Sequence, residues 1–433
     1  MGRAPARMLG HRFNDERTTQ MHITRRVLVV GGGIAGLASS LALARAGADV
    51  TVVEQAPEFA EVGAGLQLGP NATRLLDAWG LLGRVRLNAV APKALVMRDV
   101  ATDSVLGRQD LGGRFLRRYG APYLVTHRTD LHTVLLDAAR SAGVELLSGT
   151  RVDKVIHSES SVLGVADDGR RFPSAAVIAA DGLNSGHRAR LVGDQTQPSG
   201  FVAYRGTVPI DQVPGAHGLE DVVCWVGPGC HIVRYPLRGG ELLNQVAVFQ
   251  TRRPTSDRIL RGDPRELAEA FDMAHPDVLA GLEFVGTDRC WTLADRVPTT
   301  QWVDGRVLLL GDAAHPMFQY LAQGACQALE DAAVLGDLVA ASQPWHDDSW
   351  RSVLRDVAEL RAPRTSQVQT SARAFGEICH VDGIGATLRD AYLKGRNDEF
   401  FDELDWLYLA PDKRSDTTTD QELARLDAAT SER

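Results

Sequence analysis

Four short stretches of the chain carry residues whose type and spacing could do chemistry. In the first, Gly31, Gly33 and Gly36 stand at the spacing Gly-x-Gly-x-x-Gly, and Glu54 follows 18 residues after the last of them. Glycines so spaced let a backbone approach a pyrophosphate, whose charge is stabilised by the unpaired N–H groups of a helix N-terminus; the later acid accepts hydrogen bonds from a ribose. The second and third are Ala180-Asp181-Gly182-Leu183-Asn184-Ser185 and Gly311-Asp312-Ala313-Ala314-His315-Pro316. Each puts an acid just past an apolar run, where parallel sheets present ligands. In the fourth, His231, Val233 and Tyr235 alternate along a β-rich run, so His231 and Tyr235 share one face and Arg234 points to the other. Two groups able to exchange protons then share one wall.

These residues need elements to position them. Val27-Leu28-Val29-Val30 reads as a short buried strand, Gly31-Gly32-Gly33 as a break, residues 34–46 as an Ala/Leu helix and residues 49–53 as a β-branched strand ending at Glu54. The result is a βαβ unit. Residues 27–44 form 18 uncharged positions, long enough for a membrane span, but their β-rich start and glycine break argue for strand, turn and helix. Further on, a helix is expected over 130–142 and strands near 144–147, 152–156, 162–166 and 175–180. From 201 to 284 the character changes to short β-rich runs at 201–208, 222–226, 231–235 and 242–250, separated by turn signals. That pattern predicts an antiparallel sheet inserted beside a parallel one. A buried strand returns at 306–310, a long helix follows over about 323–341, and the chain is mostly helical to about 409.

Composition removes several function classes. The chain has 433 residues, 44% hydrophobic and 24% charged, the balance of a globular protein with a sizeable core. Its 47 Lys and Arg against 55 Asp and Glu leave a net charge of −8, which offers nucleic acid no broad basic face. Five cysteines, an odd number without a CxxC pair, suggest neither a disulfide framework nor a metal site, and a cytoplasmic location fits. The first 22 residues carry arginines but no apolar leader segment.

The three ligand-presenting motifs, in this order, resemble those of the single-component FAD-dependent aromatic hydroxylases, the flavoprotein monooxygenases typified by p-hydroxybenzoate and salicylate hydroxylases. The resemblance spans residues 22 to about 410. It implies that the ADP half of FAD falls to Gly31, Gly33, Gly36 and Glu54, that Asp181 serves both FAD and NAD(P)H, and that Asp312 holds the ribityl chain. Arg128, in His127-Arg128-Thr129-Asp130-Leu131, matches a family arginine that contacts FAD. Reduced flavin carries negative charge near N1 and the C2 carbonyl, so the helix N-terminus at Gly324 and Ala325 suits it. For His315 a structural role bonded to backbone is as well supported as direct chemistry. Gly383-Ile384-Gly385 lacks a preceding strand and a third glycine, so no nicotinamide domain of its own is expected. NAD(P)H, with NADH favoured, would act as a transient co-substrate beside O2.

The expected fold class is therefore α/β: a Rossmann-like FAD-binding domain with its βαβ fingerprint, discontinuous over 22–197 and 290–385, plus an inserted, mainly antiparallel β-sheet substrate domain over 198–289. A helical C-terminal segment covers 386–410, with a disordered extension over 1–21 and a disordered tail over 411–433. A homodimer using residues 340–409 stays open.

After the Gly-Asp motif the chain departs from the family pattern: Gln319 stands where the family has Pro, and Ala322 replaces the first Gly of Gly-Gln-Gly. With Tyr204-Arg205-Gly206 and His231-Ile232-Val233-Arg234-Tyr235-Pro236, that variant looks like the branch containing 3-hydroxybenzoate 6-hydroxylases, which convert 3-hydroxybenzoate to gentisate. The small phenolic acid would be attacked by a flavin C4a-hydroperoxide, an electrophile for which a phenolate is the better partner. A phenol titrates near ~10 and histidine near ~6.5, so a base is needed. His231 is expected to accept or relay the phenol proton, Tyr235 to hydrogen-bond the substrate, and Gln319 to orient its hydroxyl from the flavin side. Arg205 could equally grip the substrate carboxylate or brace the sheet. Salicylate-type hydroxylation is the nearest alternative; a flavin reductase that never inserts oxygen would leave the His231/Tyr235 wall unexplained, and a redox-sensing binding protein without turnover would call for an interaction tail or regulatory domain, which only the short ends of the chain offer.

Overall fold

The β-branched Val27, Val29 and Val30, with apolar Leu28 among them and all four buried, make Arg26–Val30 a central strand. In the computed structural model, which describes residues 23–60, 63–216, 218–253, 257–346, 349–396 and 401–409, it lies inside a six-stranded sheet. The order across that sheet is Val303–Asp304, Val307–Leu309, Ala176–Ala179, Arg26–Val30, Asp49–Val53, Glu145–Leu147. All its pairings are parallel except the edge pair of Val303–Asp304 with Val307–Leu309. Parallel sheets covered on both faces need near-continuous apolar strands, and these have them. Helices Ile34–Arg45 and Gly324–Ser342 pack against each other, and Gly336 makes this possible: a Cβ there would stand 2.8 Å from that of Ala42. The expected extension over 1–21 and tail over 411–433 fall outside the described residues.

The second sheet has eight strands, in the order Ile259–Arg261, Arg289–Asp295, Gln197–Pro209, Leu242–Gln250, Cys230–Leu237, Val222–Gly227, Ala94–Asp99, Val105–Asp110. It is antiparallel apart from Val222–Gly227 beside Ala94–Asp99. Two of its strands thus come from residues 94–110, far from the expected insertion at 198–289. Local periodicity cannot reveal this, because Val105–Asp110 is a polar edge strand and its neighbour pairs with a segment more than a hundred residues away. The strands expected at 152–156 and 162–166 exist but form, with Arg171–Ser174, a separate three-stranded sheet. A hairpin-like pair, Gly65–Leu68 with Leu124–His127, was not foreseen.

Toward the C-terminus, Trp350–His380 is a single 31-residue helix, followed by Gly383–Lys394 and Phe401–Tyr408. Among the described residues, no helix is long and apolar enough to cross a membrane. Residues 27–44 divide into strand, loop and helix. The five cysteines are free.

Candidate active site

The first strand stops at Val30, and Gly31 turns the chain with φ of 108°. A Cβ at Gly31 would lie 2.3 Å from the Ala180 carbonyl oxygen, and one at Gly36 would lie 1.9 Å from the Gly31 carbonyl oxygen. Only glycine lets two strand ends and a helix start meet this closely. Gly33 precedes the helix Ile34–Arg45, and no side chain caps it. The first-turn N–H groups therefore remain for an anion. Glu54 accepts from the Gly32 N–H at 2.7 Å and from the Ala56 N–H at 2.8 Å, bracing the glycine loop. Each of its oxygens keeps a second lone-pair position for ribose hydroxyls.

Around this loop opens a cleft of about 580 Å³ lined by Gly31, Gly33, Glu54, Arg128, Asp181, Asp312, Gly324 and Ala325, among others. Gly36 lies behind it as a packing residue. One Asp181 oxygen accepts from the Gly186 N–H at 3.1 Å and meets His187 Nδ1 at 2.9 Å, while Oδ1 is buried with no partner. Burial alone would raise this carboxyl; the bond to His187 outweighs it and holds Asp181 below the ordinary range. An orphaned buried acceptor, a glycine cradle and an uncapped helix N-terminus fit the sugar, pyrophosphate and adenosine parts of a dinucleotide.

A second cleft, about 330 Å³, shares Arg128, Leu183, Arg258, Asp312, Gly324 and Ala325 with the first, so the two are one continuous channel. Gly324 opens the helix Gly324–Ser342, again without a side-chain cap, and its positive end faces both halves. Along the second cleft stand His231, Val233, Tyr235, Gln319, Tyr320 and Arg205. The strand Cys230–Leu237 places the first three as the alternation required, while Arg234 turns away and donates to the carbonyl of Val278 at 2.6 Å.

His231 is 3% exposed, and its Nδ1 lies 2.8 Å from Nε2 of His380. Burial, and then His380, push its protonated form well below the usual histidine range, so the ring is neutral. Burial also drives the Tyr235 phenol above its ordinary value, leaving it a neutral donor. Arg205 donates from Nη2 to Gln319 Oε1 at 2.5 Å, stands over Trp291 and keeps a buried Nε without a partner. Sequence reasoning left Arg205 undecided and missed His380 and Tyr320 altogether. The Tyr204-Arg205-Gly206 run was a signal for the first; the other two approach only through tertiary packing. His315 bonds through its ring to the Asp331 carboxylate at 2.6 Å rather than to backbone, and it lines neither cleft.

Two positions yield predictions. A Cβ on Gly65 would fall 2.7 Å from the Tyr235 hydroxyl and 2.8 Å from Asn244 Cγ, while the Gly65 N–H donates to Asn244 Oδ1 at 2.8 Å. Gly65→Ala is expected to displace Tyr235 and raise KM for whatever substrate occupies this cleft roughly tenfold, the equivalent of one lost hydrogen bond, with dinucleotide content unchanged. An unaltered KM would separate Tyr235 from binding. Ala322 sits in the left-handed region at φ of 53°, a conformation that favours glycine. Ala322→Gly should therefore raise stability by up to about 1 kcal/mol, read as a higher denaturation midpoint.

Residues 24–368 match the family described as FAD binding domain. The chain is 41% identical to a 3-hydroxybenzoate 6-hydroxylase of Polaromonas naphthalenivorans over 88% of this chain and 95% of that protein. Its structure is similar to a variant of Klebsiella pneumoniae HpxO complexed with FAD, at a TM-score of 0.78 and 24% identity, covering 89% of this chain and 99% of the other. It is also similar to a salicylate hydroxylase substrate complex, at a TM-score of 0.75 and 25% identity, covering 88% and 95%. The chain belongs to the FAD-binding domain family, among its FAD-dependent aromatic-ring monooxygenases, with FAD as its cofactor.

Proposed function

We propose that the protein hydroxylates 3-hydroxybenzoate at the carbon para to its hydroxyl, giving gentisate, with NADH as electron donor and O2 as oxygen source. The observation that carries this reading is the convergence of His231, Tyr235, Gln319 and Arg205 on one cleft continuous with the dinucleotide cleft. When bound and reduced, FAD would supply the electrophilic oxygen through its reaction with O2. The protein's part is to make the ring electron-rich and to hold it in place. Neutral His231 accepts the phenolic proton, so that phenolate rather than phenol faces the oxygen. Gln319, whose Oε1 is occupied by Arg205, turns its amide N–H groups to the substrate hydroxyl and steadies the developing oxyanion. Tyr235 donates to the substrate, and the Arg205 guanidinium, with its unpaired Nε, faces the carboxylate. Asp181, Glu54, the glycine loop and Arg128 hold the dinucleotide against the channel.

The relative from Polaromonas naphthalenivorans supports the choice of substrate by its name and extent of identity. The test is a panel of 3-hydroxybenzoate, salicylate and 4-hydroxybenzoate, scored for stimulated NADH oxidation and for the product formed. Gentisate from 3-hydroxybenzoate, with one O2 consumed per product, is expected. Turnover of salicylate alone would replace this reading with a salicylate-type reaction, and yellow protein with no oxygen demand would make it a reductase.

A further inference from the structure

We propose that His380 is the outer half of a two-histidine proton relay, accepting at Nε2 the proton that His231 releases from Nδ1 when His231 takes the substrate's phenolic proton at Nε2. The inference rests on the reading above, in which His231 faces the ionising hydroxyl.

Acting alone, His231 would be a poorly placed base. Its ring is 3% exposed, and among the described residues no carboxylate bonds to it or to His380. A proton kept on His231 would be a buried cation with only another imidazole beside it, an arrangement that burial makes costly. The contact of 2.8 Å between His231 Nδ1 and His380 Nε2 removes the difficulty. One N–H must lie between two neutral rings at that distance, so when His231 donates to His380 its Nε2 is left as an acceptor toward the cleft.

The transfer then balances without a trapped charge. The substrate O–H bond breaks and an N–H bond forms at His231 Nε2. The His231 Nδ1–H bond breaks and one forms at His380 Nε2; His380 releases its Nδ1 proton to water. Phenolate and one solvent proton result, both rings stay neutral, and their tautomers are exchanged. The reverse path restores them when the product's oxygen takes its proton back.

The fold holds the pair in register from both sides. His231 lies on the wall strand Cys230–Leu237, and His380 ends the long helix Trp350–His380. Gly229, next to the strand, donates its N–H to the His380 carbonyl at 3.0 Å. Phe201 stacks on the His380 ring with centroids 4.4 Å apart and planes 14° from parallel. Tyr320 packs against both imidazoles, tilted against His231 at 5.5 Å and edge-on to His380 at 5.6 Å. The titratable and charged groups facing His380 are His231, Tyr320, Cys379 and Arg389, the last donating to the Cys379 carbonyl at 3.2 Å. Burial and Arg389 bring the His380 pKa down to about 4, so it too is neutral at ordinary pH. His380 is only half-buried and lines no part of the cleft, which puts it on the solvent side of the wall.

His380→Phe keeps a ring on Phe201 while removing both nitrogens, and His380→Ala leaves a gap that imidazole can enter. The purified FAD-loaded enzyme is mixed with 3-hydroxybenzoate in weak buffer containing an indicator dye, and proton release, gentisate per NADH and the pH profile are recorded. The relay predicts normal flavin content in both variants and proton release at least tenfold slower. Gentisate yield should fall at neutral pH and recover as pH approaches the substrate's own phenol pKa, and added imidazole should restore release in His380→Ala but not in His380→Phe. Wild-type release and yield in His380→Phe, in an enzyme that does form gentisate, would overturn the relay alone. A wild-type enzyme that forms no gentisate would overturn the substrate reading on which it rests.

Discussion

His231→Ala is expected to keep consuming oxygen while gentisate per NADH falls to about a tenth or less and hydrogen peroxide accounts for the remainder. Loss of a positioned base costs on the order of 10²-fold or more in the step it serves, whereas nothing in flavin binding depends on this ring. His231 lies on the wall of the second cleft and lines no part of the dinucleotide cleft, so reduction and reaction with O2 should proceed. Only the ring attack, which needs the phenolate, should fail. Raising the pH toward the phenol pKa near ~10 should return part of the yield, because the substrate then ionises unaided. Measuring oxygen uptake, peroxide and gentisate on the same sample checks this. Unchanged product per NADH at neutral pH would remove His231 as the base.

A larger effect on stability is expected from Asp331→Ala. Asp331 is fully buried, and one oxygen accepts from the Gly311 N–H at 3.1 Å and meets His315 Nε2 at 2.6 Å. Its other oxygen accepts from Arg361 Nε at 2.8 Å, and the same guanidinium reaches Glu330 at 2.7 Å. Glu330 in turn accepts from Asn71 at 2.7 Å and is approached by Arg364, which also donates to the carbonyls of Trp406 and Leu407. Removing one member leaves buried charge uncompensated, at a cost of about 3–5 kcal/mol. The damage should also reach the cofactor, since the Gly311 N–H loses the acceptor that fixes the Gly311–Asp312 turn. Flavin release should therefore accompany the drop in thermal midpoint, and Asp331→Asn, which keeps an oxygen for Gly311, should retain more flavin than Asp331→Ala. Equal flavin loss in the two would show that the turn does not depend on this contact.

The same network gives the protein an acid limit. Burial alone would raise both carboxyls, but Arg361 and Arg364 bring Glu330 down to about 2, and His315 and Arg361 bring Asp331 down to about 2. Folded values below the unfolded ones mean that the stabilisation is fully present above the ordinary carboxylate range near ~4 and is lost as pH falls toward 2. It amounts to roughly 2–3 kcal/mol for each group. Denaturant titrations between pH 7 and 2 should show that loss, and its reduction in Asp331→Asn would assign Asp331's share.

Much of this was legible locally. The strand at 49–53, the start of the helix at 34 and the existence of the wall strand, which runs over Cys230–Leu237 where 231–235 was expected, were readable because each rests on a short-range period: two for a half-buried strand, 3.6 for a helix, and glycine where the backbone must turn. Every proposed cofactor residue except Gly36 lines the dinucleotide cleft, and His231, Tyr235 and Gln319 line the other, because the motifs name residues directly. The strands Ala94–Asp99 and Val105–Asp110 were not readable as part of the second sheet, since their partners are chosen by the packed chain rather than by neighbours in sequence.

From the sequence alone came the dinucleotide loop, the acids that follow strands, and the shared face of His231 and Tyr235, since spacing along a strand or turn sets where neighbouring side chains point. Only the folded chain decided that Gln319 is held by Arg205, that His315 serves Asp331, and that His380 stands behind His231. Those pairs are 114, 16 and 149 residues apart, a separation across which no local periodicity acts and which only the closing of sheets and helices on one core can bridge.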